Sequence, residues 1–127
     1  MTESMDFTFE LVIVPVSDVD AAKAFYADRL GWRVDVDHRA GPDFRVVQLT
    51  PPGSACSICI GTGLTDAEPG SVRGMQMVVA DAQAAHDELA ARGVKVSDVD
   101  VQPWGEFVYF SDPDGNAWAL QAIPDRQ

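Results

Sequence analysis

The chain has 127 residues, 46% of them hydrophobic and 23% charged, with a formal net charge of −11, values that suit one globular domain able to build its own core. A carboxylate excess of this size repels phosphate, which excludes nucleic acid as a partner and argues against anionic membranes; no apolar run approaches the roughly 20 residues that span a bilayer. The opening MTESMDFTFE is acidic and lacks the basic-then-apolar order of a signal peptide, so the expected location is the cytoplasm.

In chain order, an apolar strand from Val12 leads to Asp18, which can cap a helix by accepting a backbone N–H. Ala22, Phe25, Tyr26 and Leu30 then form one apolar stripe at helical spacing. Gly31 supplies the left-handed residue that ends the helix. A strand follows at WRVDV, and His38 falls near the RAGPD turn, with no ligand role expected. The segments FRVVQLT and SACSICI read as strands around a PPGS turn. Cys56 and Cys59 stand at C-x-x-C spacing, but no second pair exists to complete a zinc site. Residues three apart in a strand point to opposite faces, so two buried thiols are expected here rather than a redox pair.

The turn-rich AEPGS, residues 67–71, reads as a linker. Beyond it a strand from Met75 leads to Asp81, a second capping aspartate, and to a helix striped by Ala82, Ala85 and Leu89 and ended by Gly93. His86 lies beside that stripe and is expected to face solvent. Strands follow at VKVSDV, EFVYFS and AWAL, with turns at PWG and DPDG. DPDGN invites a calcium reading, but a calcium-binding loop begun at Asp112 would need Gly and Glu where Ala117 and Ile123 stand. Asp112 and Asp114 are expected to bond backbone amides of a tight turn.

The two halves match. VIVPVSDVDAAKAFYADRLGWRVDVD pairs with MQMVVADAQAAHDELAARGVKVSDVD at a shift of 63 that becomes 62 after the helix, where the second half is one residue shorter, and FRVVQLTPPGSACSI pairs with EFVYFSDPDGNAWAL at 62. Each half reads strand, helix, three strands, which gives an α+β chain of two tandem βαβββ modules. One domain spans residues 1–127, with module 1 at about 7–66 and module 2 at about 72–124.

The doubled βαβββ pattern, with PVSDVDAAKAFYADRLGW in the first half and FSDPDGNAWAL in the second, resembles the vicinal oxygen chelate superfamily, which includes glyoxalase I, extradiol dioxygenases and bleomycin-resistance proteins. The resemblance covers nearly the whole chain. It implies curved mixed sheets forming a cup, helices on the outer face, and a homodimer that completes the cup. It also implies metal ligands on the first and last strand of each module. Those positions correspond here to Leu11, Ser57, Gly74 and Ala119. Leu, Gly and Ala offer no lone pair and a lone hydroxyl is a poor ligand, so no metal and no cofactor are expected.

Strand alternation extends the cup to Ile13, Cys59 and Gln76, and the resemblance adds Tyr109, Phe107 and Trp104, with Arg45 and Val47 as first-half equivalents. The expected lining is therefore apolar and aromatic with few polar groups, the make-up of a small-molecule pocket, although the same residues could fill a closed core. A metal-free, bleomycin-resistance-like protein binding a small aromatic or cationic molecule is the leading expectation. The alternatives are a glyoxalase-like lyase or dioxygenase with a non-standard site, a metal-independent isomerase or cyclase acting through Tyr109 or Arg45, and a partner-binding module with a filled cup.

Overall fold

The computed structural model describes residues 4–124. Its strands are β1 (Leu11–Ile13), β2 (Arg33–Arg39), β3 (Arg45–Thr50), β4 (Ser57–Thr62), β5 (Met75–Val78), β6 (Asp100–Gln102), β7 (Gly105–Ser111) and β8 (Ala117–Ala122). They form two four-stranded mixed sheets, ordered β1-β4-β3-β2 and β5-β8-β7-β6. The outer pairs β1–β4 and β5–β8 are parallel and the others antiparallel. The fold is α+β, as the repeat predicts.

Helix α1 (Val19–Lys23) opens on Asp18, whose carboxylate accepts from the Ala21 amide at 3.0 Å, and α2 (Ala82–Ala91) opens on Asp81 in the same way at 2.9 Å. Both caps occupy the places expected of them. The first helix does not continue as an α-helix: Ala24–Arg29 widens into a π-helical turn closed by the Leu30 amide on the Phe25 carbonyl. Such widened turns occur mostly as single-turn bulges within α-helices. Here the segment carries Phe25 and Tyr26, which meet at 5.1 Å, edge to face, and reach Phe110 and Trp118 of the second sheet.

The helix ends hold each other. Arg29 Nη1 donates to the carbonyls of Arg92 and Gly93 at 3.2 and 2.9 Å, and Arg92 Nη1 donates to those of Arg29 and Leu30 at 3.2 and 3.1 Å. Each guanidinium thereby satisfies carbonyls that a helix terminus leaves without partners.

One core serves both sheets. Val47, Leu49, Ile58 and Ile60 of the first sheet pack in the same cluster as Val108, Phe110, Trp118 and Leu120 of the second, with Ala22, Tyr26, Leu30 and Leu89 from the helical segments. Tyr26 is wholly buried; its hydroxyl donates to Asp112 Oδ2 at 2.8 Å and accepts from Trp118 Nε1 at 2.9 Å. Asp112 also accepts the amides of Asp114 and Asn116, so DPDG is the tight turn expected of it. Asp114 accepts the Ser17 amide and hydroxyl, and Asn116 donates to the Pro15 carbonyl. The turn thus anchors the first half of the chain to the second.

VKVSDV departs from expectation. Only Val96 forms a bridge, to Phe110, and the regular strand starts later, at Asp100. Ser97 accounts for this: its hydroxyl accepts the Tyr109 amide at 2.9 Å, where a strand would offer a carbonyl. A side-chain acceptor competes with the ladder.

Candidate functional site

Each sheet has one face on the shared core and one turned away from it. In the second sheet, Val108 lies opposite Leu120 and Phe110 opposite Trp118 on the core side. The free face therefore carries Tyr109 opposite Ala119 and Phe107 opposite Gln121, with Gln76 and Val78 on the adjoining parallel strand. Phe107 and Tyr109 stack with centroids 6.1 Å apart and planes at 7°. Phe107 is buried beneath this surface, whereas Val78 and Tyr109 are exposed. Trp104, in the turn before β7, is exposed and gives its carbonyl to the Gln121 amide at 3.0 Å.

In the first sheet the core side holds Val47 opposite Ile60 and Leu49 opposite Ile58. The free side carries Gln48 opposite Cys59, with Leu11 beside Ser57 and Ile13 beside Cys59. Arg45 and Val47, expected on the cup face, are on the core side instead. The cause is a change of parity in the hairpins. Ser57 and Ala119 correspond at 62, but Gln48 occupies the place of Phe107, a shift of 59. An odd offset turns every side chain of a strand to the other face, so a shift of 62 carried across the turn assigns β3 the wrong side. The residues that sequence reasoning missed on this account are Gln48 and Thr50.

Arg45 is consequently a structural residue. It is buried, donates to Asp37 through Nε and Nη2 at 3.0 and 2.9 Å, and to Asp20 through Nη1 at 2.7 Å. Its hydrogen bonds hold Asp37 well below the usual carboxylate range, with Lys23 adding to the effect, and Asp37 and Asp20 in turn raise the guanidinium. Those bonds turn its guanidinium toward Asp37 and Asp20 on the core side, away from the free face. At Tyr109, partial desolvation first and then its hydrogen bond to Asp100 at 2.9 Å hold the hydroxyl above the ordinary tyrosine value.

Gly74 precedes β5 at φ +81°, and the parallel partner of Ala119 is Gln76, not Gly74. The first-strand equivalence thus moves from Gly74 to Gln76, whose amide donates to Gln121 at 2.6 Å. Ser57 is buried, and its hydroxyl lies 2.6 Å from that of Thr50, which also bonds Asp35. Ser57 and Gln76 line one cavity of about 130 Å³, with Cys56, Met75 and Trp118 among its walls. Leu11, Ser57, Ala119 and either Gly74 or Gln76 bring together one hydroxyl and at most one amide, a donor set that does not fit a divalent ion. Among the described residues no group of three His, Cys, Asp or Glu side chains could hold one elsewhere.

Cys59 is a buried thiol, raised by its burial. Cys56 lies just before β4, not within it, and is half-buried; both are free. His86 is half-buried on α2 and bonds Asp87 at 2.9 Å; His38 is on β2 rather than in a turn.

The two stacked βαβββ units and their free faces define the class. Residues 8–120 match the family model of the Glyoxalase/Bleomycin resistance protein/Dioxygenase superfamily, and the chain belongs to that family. Among solved structures it is similar to TnmS3, an antibiotic-binding protein from Streptomyces sp. CB03234, at 34% identity and a TM-score of 0.83, covering 94% of this chain and 98% of that one. A glyoxalase/bleomycin resistance protein from the same organism is 36% identical at a TM-score of 0.77, covering 90% and 99%. The uncharacterized protein YetH of Bacillus subtilis (strain 168) is 26% identical over 118 residues, 87% of this chain and 93% of YetH. No helix of the described residues is long and apolar enough to cross a membrane.

Proposed function

We propose that the protein is a metal-free binding protein of the bleomycin-resistance type, holding a small aromatic or cationic molecule in an apolar cup that a second copy of the chain completes. The observation that carries this reading is the open aromatic face of the second sheet, where Val78 is 64% and Tyr109 42% exposed above the stacked Phe107. Apolar surface left open on a globular domain marks a binding surface, and flat rings offer large contact area at low entropic cost. The likeness to an antibiotic-binding protein at 34% identity supports a small-molecule ligand. The net charge of −11 favours a cation over an anion.

The arrangement of faces supports the homodimer. Both sheets share one core, and within one chain their free faces meet at the cavity of about 130 Å³ that Ser57 and Gln76 line, smaller than the pockets that enclose a drug-sized ligand. A two-fold partner would set the first sheet of one copy against the second sheet of the other. The free thiols Cys56 and Cys59 suit a reducing compartment, the cytoplasm.

A panel of flat aromatic and cationic compounds, read by thermal shift alongside sedimentation velocity, tests the proposal. The expected result is a saturable rise in melting temperature on a sedimenting dimer. A monomer at tens of micromolar with no shift across the panel would overturn it, and so would stoichiometric transition metal in the purified protein.

A further inference from the structure

Resting on that reading of the cup, we propose that its ligand presents a hydrogen-bond donor, an N–H or O–H on a flat aromatic frame, to the Ser57 hydroxyl, which offers only lone pairs, as does that of Tyr109.

The direction of each hydrogen bond follows from the carboxylate at the end of its chain. Arg33 Nε donates to Asp35 Oδ1 at 2.6 Å, and Thr50 Oγ1 bonds Asp35 Oδ2. These two bonds, Thr50 first, hold Asp35 below its ordinary value, so it is ionised at neutral pH. An ionised carboxylate only accepts. The single hydroxyl proton of Thr50 is therefore committed to Asp35. The 2.6 Å contact between Thr50 Oγ1 and Ser57 Oγ then has one possible donor, Ser57. With its proton spent on Thr50, Ser57 meets anything in the cavity as an acceptor. Chained hydrogen bonds polarise one another, so the Asp35 charge strengthens this acceptor.

The second sheet repeats the device with different residues. The Tyr109 hydroxyl donates to Asp100 Oδ2 at 2.9 Å, which leaves its lone pairs for a ligand. Gln76 donates to Gln121, which donates to the Trp104 carbonyl, and Gln76 keeps its carbonyl oxygen and one N–H. An acceptor-only group meeting another acceptor would desolvate both without a bond, and sites built on one polarity reject the isostere of the other strongly.

Indole and benzofuran make the test. They share one shape, and one carries an N–H where the other carries an oxygen. Titration of the full-length protein with each, followed by amide NMR shifts around Ser57 and Gln76, should give an affinity at least about tenfold higher for indole. Thr50→Val frees the Ser57 proton without removing the hydroxyl and should bring the two affinities within about threefold, whereas Thr50→Ser keeps the relay and should retain the preference. Equal affinities in the natural protein would overturn the inference while leaving the cup standing, and so would an undiminished preference in Thr50→Val. If neither compound shifts any cup resonance at millimolar concentration, the cup reading fails and the inference goes with it.

Discussion

Replacing Tyr26 with Phe removes one oxygen atom and keeps the ring that packs at 5.1 Å from Phe25 and from Trp32. The hydroxyl is the joint between the first helix and the second sheet, donating to Asp112 and accepting from Trp118. Without it, the buried Trp118 N–H has no acceptor, a penalty of about 1–3 kcal/mol. Asp112 keeps Asn116 Nδ2 and two backbone amides as donors, so its charge stays solvated, but it loses one charge-assisted bond of about 1.5–3 kcal/mol. These costs overlap, and the expected loss is about 3 kcal/mol, or about 10 °C in melting temperature for a chain of this size. Equilibrium urea unfolding with a shared m-value reads the difference directly. Tyr109→Phe is the control: that hydroxyl bonds Asp100 at the exposed face, and its removal should cost less than about 1 kcal/mol. A Tyr26→Phe loss no larger than that of the control would refute the claim that this bond couples the halves.

Four further outcomes are expected. Asp37 is held below the carboxylate range by Arg45 and Lys23, so its stabilisation is present at neutral pH and is lost as pH falls below the unfolded value of about 4; melting temperatures between pH 5 and pH 2.5 should drop less steeply in Asp37→Asn. A Cβ on Gly70 would stand 2.1 Å from the Asp114 carbonyl oxygen, whereas one on Gly41 meets nothing within 4 Å, and both have positive φ; Gly70→Ala should therefore unfold at lower urea than Gly41→Ala, which bears only backbone strain of about 1 kcal/mol. Arg45→Met should lower stability yet leave aromatic binding unchanged, since Arg45 is on the core side with Asp20 and Asp37; altered binding at unaltered stability would contradict that placement. Val78→Asp, on an exposed position, should keep the melting temperature of the single chain but abolish sedimentation as a dimer.

Much of the architecture is legible in the sequence because its signals are local. Asp18 and Asp81 cap helices, Gly31 and Gly93 end them in left-handed conformation, and the Pro-Gly turns punctuate strands where expected. What the sequence hides depends on distant partners. The π-helical turn is set by aromatic packing against Trp118, which lies 92 residues from Tyr26. The face of β3 depends on hairpin parity, which no periodicity within β3 reveals, because Arg45, Val47, Gln48 and Thr50 would alternate equally well either way. The polarity of Ser57 is likewise invisible, since it is decided by Asp35 and Thr50 on neighbouring strands.

The Arg29–Arg92 exchange has a meaning beyond capping. A contact in which residue i reaches j's position while j reaches i's is the signature of a two-fold interface between identical subunits. Here both arginines belong to one chain, at matching places in its repeat. The link between the halves thus has the geometry of a two-fold dimer contact held within one chain. Tethered in this way, the halves need not stay alike: one free face carries Phe107 and Tyr109 where the other carries Gln48 and Thr50.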